Sequence, residues 1–335
     1  MSDDAFLAEP PTLFLTDEDV AALADWDAAI AALREAYARP DVPGATPERA
    51  VATTATGWQR VMPSAPPGAR FAGSKTISAS LRNGLASYLV TLFDQHDSRL
   101  VALLDGNRIT GIRTAATAAA ALTALLPRGP LTVAVVGSGF EARAQLRAAS
   151  RVARMERVRV SSPTPANRER FAAELSVELG VPVEAVASAE AAVRGADLVL
   201  CAARSRDESP TVLADWVSPD ATVVSVGSTT PTQRELDPAL LGRASLIVAD
   251  ALAEVLHDSG DMIAAREAGI DPDAVTVSLH DLLGGRTSRP AGGIAIYKST
   301  GSGFQDLVVA ELLYERAVAE GRGTPLPVGV LTIRK

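Results

Sequence analysis

The residues best suited to a definite chemical task lie in the run LTVAVVGSGFEARAQL, Leu131 to Leu146, where Gly137, Gly139 and Ala142 stand in G-x-G-x-x-A spacing. Each small residue has its own reason. The first glycine permits a tight turn, the second lets backbone approach a pyrophosphate, and the small third residue lets helix and strand pack closely. The helix that follows offers unpaired N–H groups to the anion. Gly137, Ser138, Gly139, Phe140, Glu141 and Ala142 are therefore the expected cradle of a dinucleotide. The motif also has the context it needs: an apolar strand before it, a helical run after it, and a second strand, Val158 to Val160, at the right interval.

The end of that second strand selects the cofactor, because a carboxylate there accepts from the 2′-hydroxyl of NAD and repels the 2′-phosphate of NADP. This chain has Ser161, Ser162, Pro163 and Thr164 in that place, with Arg168 a helical turn later. Hydroxyls and a cation without an acid favour NADP(H) over NAD(H), and Ser162, Thr164 and Arg168 are the expected contacts. Other cofactor chemistry finds no support. His96, His257 and His280 lack helix-face spacing and read as surface or satisfied structural histidines, and the single Cys201 excludes both an intrachain disulfide and a paired-cysteine zinc site.

Elements must hold these groups. Thr16 followed by Asp17, Glu18 and Asp19 reads as a helix N-cap, with an alanine-rich helix running to about Arg39. Short extended pieces follow at Val51 to Thr54, Gln59 to Met62, Lys75 to Ser80 and Ser87 to Phe93, and a helix of small residues spans Ile112 to Leu126 before a break at Pro127 to Pro130. Strands and helices then alternate: Leu131 to Val136, Val158 to Val160, Val183 to Val186, Leu198 to Cys201, Thr222 to Val226 and Leu246 to Val248. That is how a parallel sheet covered on both faces reads. An amphipathic helix returns from Phe304 to Ala319, and Gly321 to Pro327 reads as loop.

The predicted fold class is α/β: a Rossmann dinucleotide-binding domain over residues 127–303, and a discontinuous α+β substrate-binding and dimerisation domain over residues 1–126 and 304–335. A length of 335 residues with 47% hydrophobic content suits two cores. A formal net charge of −8 with scattered Lys and Arg argues against nucleic-acid phosphates and anionic lipid as partners. An acidic Met1 to Glu9 segment, with no apolar run long enough to span a bilayer, points to a cytoplasmic protein with a small-molecule partner.

Several segments in order resemble the ornithine cyclodeaminase/mu-crystallin family. They are Gly73-Ser-Lys75-Thr-Ile-Ser, Leu103 to Ala116 with Arg113-Thr114 inside it, the glycine fingerprint, Val226-Gly227 with Pro231 and Glu235-Leu236, and Tyr297-Lys298-Ser299 followed by Gln305-Asp306. The resemblance runs from about Arg49 to Ala317. It implies a homodimer. It also implies that Arg49, Lys75 and Arg113 surround a substrate carboxylate and its reactive nitrogen, with Lys75 and Arg113 catalytic, and that Thr114 lies near the cofactor phosphates. Ala202, Ala203, Val226, Gly227 and Lys298 complete the expected cofactor site. The roles make chemical sense independently, since a guanidinium binds a carboxylate through two parallel N–H bonds and a lysine amine donates a proton to a C=N nitrogen.

Departures from the family pattern narrow the substrate. Cyclodeaminases of the family carry an aspartate where this chain has Thr229, and a glutamate where it has Arg60. Losing both acids removes the partners of a second ammonium group, so ornithine and lysine are poor substrates. Thr229 retains a hydrogen bond for an amine or imine, and Arg60 suits a second substrate carboxylate, as in an imino diacid. The expected activity is NAD(P)H-dependent reduction of an α-imino acid to an amino acid, or its reverse. A redox-neutral cyclodeaminase and an NADPH- and ligand-binding protein of the crystallin kind stand as alternatives.

Overall fold

The computed structural model describes residues 11–203, 205 and 207–333. The acidic Met1 to Glu9 segment and the outermost ends of the expected domains lie outside them.

The N-terminal half forms a seven-stranded sheet built on hairpins. In chain order it runs β1 (Leu13–Leu15), α1 (Asp17–Leu23), α2 (Trp26–Ala38), β2 (Ala50–Thr54), β3 (Gly57–Ser64), β4 (Phe71–Ser80), β5 (Leu85–Asp94) and β6 (Leu100–Asp105). Strands β2 to β6 pair antiparallel with their chain neighbours, β6 pairs parallel with β1, and β1 pairs antiparallel with the late β15 (Thr324–Pro325). Period-two alternation fixes what each face carries. Lys75, Met62 and Val90 lie abreast on one face, and Ile77, Arg60 and Tyr88 form the next row of that face. On the opposite face Leu89 and Phe93 are each 37% exposed and Leu85 is 67% exposed.

Helix α3 (Gly106–Leu125) leaves β6 through an Asp105 N-cap and is buried along most of its length. Its run of alanines lets neighbours approach on all sides, and a Cβ at Gly111 would meet the Phe140 ring at 2.4 Å. Two helices therefore touch at that glycine. The chain continues with β7 (Leu131–Val136), α4 (Phe140–Ser150), β8 (Met155–Ser161), α5 (Pro165–Leu179), β9 (Val183–Ala185), α6 (Ala189–Val193), β10 (Leu198–Cys201), β11 (Thr222–Ser225), α7 (Pro238–Gly242), β12 (Ala244–Ala249), α8 (Leu252–Asp258), α9 (Gly260–Glu267), β13 (Thr276–Ser278), α10 (Leu279–Leu283) and β14 (Ile294–Lys298). These strands form an all-parallel sheet in the order β13-β12-β14-β11-β10-β7-β8-β9. Its inner strands are buried on both faces, as their unbroken apolar runs require.

The chain then returns. Helix α11 (Gly303–Glu320) packs on β3, β4 and β5 and against α2 and α3, so the C-terminal helix joins the first sheet. One hydrophobic core runs from Leu15 and Leu92 through α3 to Val133 and Val248, and a second fills the far face of the parallel sheet.

Three local expectations are corrected. The opening helix is two helices, because Asp25 restarts the chain with a new N-cap on Ala28 N–H after Ala24 turns extended. The α3 helix begins at Gly106 and not at Ile112, since the Asp105 cap outweighs the glycine. The segment after Gly321 is not all loop, because Leu13 and Phe14 give Thr324 and Pro325 an edge to pair with.

Candidate active site

The first βα turn has the geometry that its spacing demands. Gly137 takes φ +115°, and a Cβ there would meet the Ala202 carbonyl oxygen at 2.5 Å. Gly139, the N-cap of α4, has nothing within 4 Å of its Cβ position and no side chain capping the helix. The helix N-terminus is thus open, with free N–H groups facing space that any larger residue would fill. That is the fit expected for a pyrophosphate. Ala142 is fully buried and packs the helix against the sheet.

A cavity of about 810 Å³ extends from this turn along Gly137, Ser138, Ser162, Thr164 and Ala203. Ser138 donates to Ser162 at 2.8 Å, and Arg168 Nη1 donates to the Ser162 carbonyl at 2.8 Å. Among the described residues no acid lines this cavity. Arg168 is half-buried beside the loop and does not itself line this cavity.

A second cavity, about 860 Å³, opens between the two sheets. The fingerprint helix supplies Gly139, Phe140 and Glu141, the ends of the parallel strands supply Ala202, Val226 and Gly227, and the first sheet supplies Arg60, Met62, Lys75 and Tyr88. Thr110, Arg113 and Thr114 enter from α3, and Thr229 and Gln233 close another wall. This is the crevice outside the carboxyl ends of the strands, where open α/β sheets bind ligands. Sequence-predicted residues from six separate segments meet here.

The chemistry centres on a buried acid that carried no expected role. Asp306, in the first turn of α11, sets one carboxylate oxygen 2.7 Å from Lys75 Nζ and the other 3.1 Å from Arg113 Nε. All three side chains are at most 8% exposed. Arg113 also donates to Gln305 at 2.8 Å, and Gln305 in turn donates to Asp250 and to Tyr37. Asp250 further accepts from Ser299 and from the Thr300 and Gly301 N–H groups, so it shapes the loop that walls the cavity. Burial lowers the Lys75 pKa to about 8, aided by Arg113 and opposed by Asp306. For Arg113 burial works against the charge, but Asp306, Glu141 and Asp250 outweigh it and raise its pKa.

A second buried network supports the cofactor edge. Glu235 accepts from the N–H groups of Ala203 and Gly227 and from Ser225, and so pins the ends of β10 and β11. Burial raises its pKa to about 7, with Lys298 pulling down and Asp261 pushing up. Lys298 is where expectation and structure part. Its Nζ donates to Asp261 at 2.7 Å and to Ser225 at 2.6 Å, fully buried on the far side of the sheet. Strand parity explains this, because Lys298 shares its face with Ile294 and Ile296, whereas Tyr297 points to the core beside α3.

Arg49 is also displaced from the expected set. Its guanidinium meets Glu254 at 3.3 Å and Asp258 at 3.0 Å and donates to the Thr229 carbonyl at 3.2 Å, clamping the first sheet to α8 beside the cavity wall. It does not line the cavity. Thr229 does, with its hydroxyl and N–H both on Gln233. The acids that matter, Asp306, Asp250 and Glu235, escaped expectation because Asp and Glu at helix starts and loop ends read as ordinary caps. Only Gln305-Asp306 and Glu235-Leu236, present in the resemblance, signalled them.

The chain is similar to known proteins along most of its length. It is 31% identical to the ketimine reductase mu-crystallin of Mus musculus over 68% of each chain. It is 32% identical to the iminosuccinate reductase of Paracoccus denitrificans over 69% of this chain and 71% of that one. The structure of Thermococcus litoralis Δ1-pyrroline-2-carboxylate reductase in complex with NADH and L-proline superposes with a TM-score of 0.86 at 27% identity, covering 94% of this chain and all of that one. The sequence profile of one family matches residues 11–321. The chain belongs to the ornithine cyclodeaminase/mu-crystallin family.

Proposed function

We propose that this protein is a nicotinamide-dependent oxidoreductase that reduces the C=N bond of an α-imino acid to the amino acid. The carrying observation is the Lys75–Asp306–Arg113 triad, which holds two cations in a buried wall opposite the dinucleotide turn. The mouse and bacterial relatives named as reductases of ketimines and iminosuccinate support the same reading.

In this reading Arg113 receives the substrate carboxylate and fixes the α-carbon, while Lys75 donates a proton to the imine nitrogen. The nicotinamide, when bound, supplies the hydride to that carbon. Asp306 holds both cations in place and keeps Lys75 from drifting onto the substrate carboxylate. The Thr229 hydroxyl, whose own proton goes to Gln233, accepts from the N–H of the protonated nitrogen, Thr114 contributes at the cofactor side, and Phe140 and Tyr88 exclude the water that would hydrolyse an imine. The division of labour follows, with crossings at Thr114 and Thr229: residues 1–126 and 304–335 carry most of the substrate site, and residues 127–303 most of the cofactor site.

The cofactor is NADP(H) in preference to NAD(H), supported by Ser162, Thr164 and Arg168 at the end of β8 and by the lack of an acid among the described residues there. The protein works as a homodimer, with a second copy covering the sheet face of Leu85, Leu89 and Phe93. The test is absorbance at the reduced-nicotinamide band with cyclic ketimine acids, and with α-keto acids plus ammonia or methylamine. Consumption lost in Lys75→Ala and Arg113→Ala supports the proposal. Ammonia release from a diamino acid without net cofactor change would replace it with a cyclodeaminase.

A further inference from the structure

Resting on that reading, the geometry points to a narrower substrate class: we infer that the cavity takes an imino diacid, and that Arg60 is the residue that reads its second carboxylate.

Among the described residues of the cavity, Arg60 is a cation without an acidic partner. Lys75 and Arg113 share Asp306, and the neighbouring Arg49 is engaged by Glu254 and Asp258. Arg60 has no carboxylate within 4 Å among the described residues, and its Nε is buried without a hydrogen-bond partner. A guanidinium N–H removed from water with nothing to donate to is costly, the more so because the group is charged. Burial and the Arg49 charge lower its pKa, and the Glu254 and Asp258 carboxylates, already engaged by Arg49, offset this only in part. An arriving anion relieves both penalties at once.

The placement selects the anion. Arg60 faces the same cavity as Lys75, one row further along the sheet, because Met62 pairs with Lys75 and Arg60 pairs with Ile77. Two residues of strand span roughly 6.6 Å. That separation suits the two carboxylates of a four- or five-carbon diacid whose imine carbon sits at Lys75 and Arg113. The Trp58 ring lies 5.0 Å from the Arg60 guanidinium carbon and steadies the plane without neutralising it. A guanidinium steadied over an aromatic ring keeps N–H groups free for the paired hydrogen bonds a carboxylate accepts. The chemistry balances as a two-electron reduction: a bound reduced nicotinamide would supply the hydride for the α-carbon, the C=N π bond breaks, and Lys75 gives a proton to nitrogen. The second carboxylate takes no part in bond making.

The experiment compares the four-carbon imino diacid formed from oxaloacetate and ammonia with the monocarboxylic imine formed from pyruvate and ammonia, in wild-type protein, Arg60→Ala and Arg60→Lys. The wild type should prefer the diacid in kcat/KM. Arg60→Ala should lower the ratio of the two kcat/KM values about 100-fold, mainly through KM for the diacid, consistent with loss of a charge-assisted contact. Arg60→Lys should recover part of it. Equal use of both substrates by the wild type, or a selectivity ratio untouched by Arg60→Ala, overturns the inference. A parallel titration with succinate and with propionate, read by the fluorescence of bound reduced cofactor, keeps the two readings apart. If no imine is turned over but succinate binds more tightly than propionate in an Arg60-dependent way, the diacid site stands and the reductase reading falls. Arg60-independent binding of both ends the diacid site.

Discussion

Asp306 Oδ2 lies 2.7 Å from Lys75 Nζ in a wall where neither side chain is more than 1% exposed. Removing one partner of a buried pair strands the other charge and costs about 3–5 kcal/mol. Asp306→Asn should therefore lower the unfolding free energy by an amount in that range and cut kcat by about 100-fold or more. Denaturant unfolding and initial rates on the same preparation check both. A variant of unchanged rate would remove Asp306 from the catalytic wall.

The Lys75 ammonium has a pKa of about 8, lowered chiefly by burial. In the proposed reduction its protonated form donates the proton, and that form disappears as pH rises through 8. Reductive kcat should fall above about pH 8. The oxidative direction needs the neutral amine as acceptor and should rise toward the same value. Mirror-image profiles, both lost in Lys75→Ala, are the expected outcome. A reductive rate that stays level to pH 10 would assign the proton to another group.

Glu235 gives a second pH dependence of opposite origin. Its carboxylate accepts from Ala203 and Gly227 N–H, and burial raises its pKa to about 7. Ionised above 7, it pins both strand ends; protonated below 7, it pins them less firmly. Reduced-cofactor affinity should weaken as pH falls through 7. Glu235→Gln, which cannot accept from both N–H groups and Ser225 as a carboxylate does, should bind cofactor about tenfold more weakly at every pH. Fluorescence titration across pH 5.5–8.5 reads both.

The two glycines of the fingerprint should fail differently. At Gly139 the Cβ position is open space, so Gly139→Val should fold normally and lose cofactor binding by about 100-fold, the scale of the blocked pyrophosphate contacts. At Gly137 a Cβ meets the Ala202 carbonyl oxygen at 2.5 Å with φ at +115°, so Gly137→Ala should lower the melting temperature as well. Thermal scans beside cofactor titrations separate the two effects.

Arg168 tests the cofactor preference. Its Nη1 already donates to the Ser162 carbonyl, leaving the rest of the guanidinium for a 2′-phosphate. Arg168→Ala should weaken NADPH about tenfold, the scale of a half-exposed charge-assisted contact, and leave NADH nearly unchanged. Equal losses for both would give Arg168 a role in loop shape alone.

What the sequence revealed and what it hid follow from the range of the interactions. The glycine turn, the strand-helix alternation and the existence of the amphipathic α11 rest on local periodicity and small-residue spacing, and these were legible; where α11 packs is a tertiary matter. The positions of Lys75 and Arg113 came from resemblance and proved to share a wall. Lys298 was misplaced because a strand buried on both faces has no polar alternation to show which way a lysine points. Arg49 was drawn from the cavity by Glu254 and Asp258, partners about two hundred residues away in sequence. Asp306 was hidden in plain view, since an acid in the first turn of a helix is ordinary and only tertiary contact reveals its two cations.

The most direct measurement follows the hydride itself. The protein is mixed with an α-imino acid and reduced cofactor carrying deuterium at the transferring position of the nicotinamide, and the amino-acid product is weighed by mass spectrometry. Incorporation of one deuterium at the α-carbon, with one cofactor oxidised per product and no turnover in Lys75→Ala, is the result this account predicts. Product without deuterium, or cofactor left unoxidised across imino acids of every size, would contradict it.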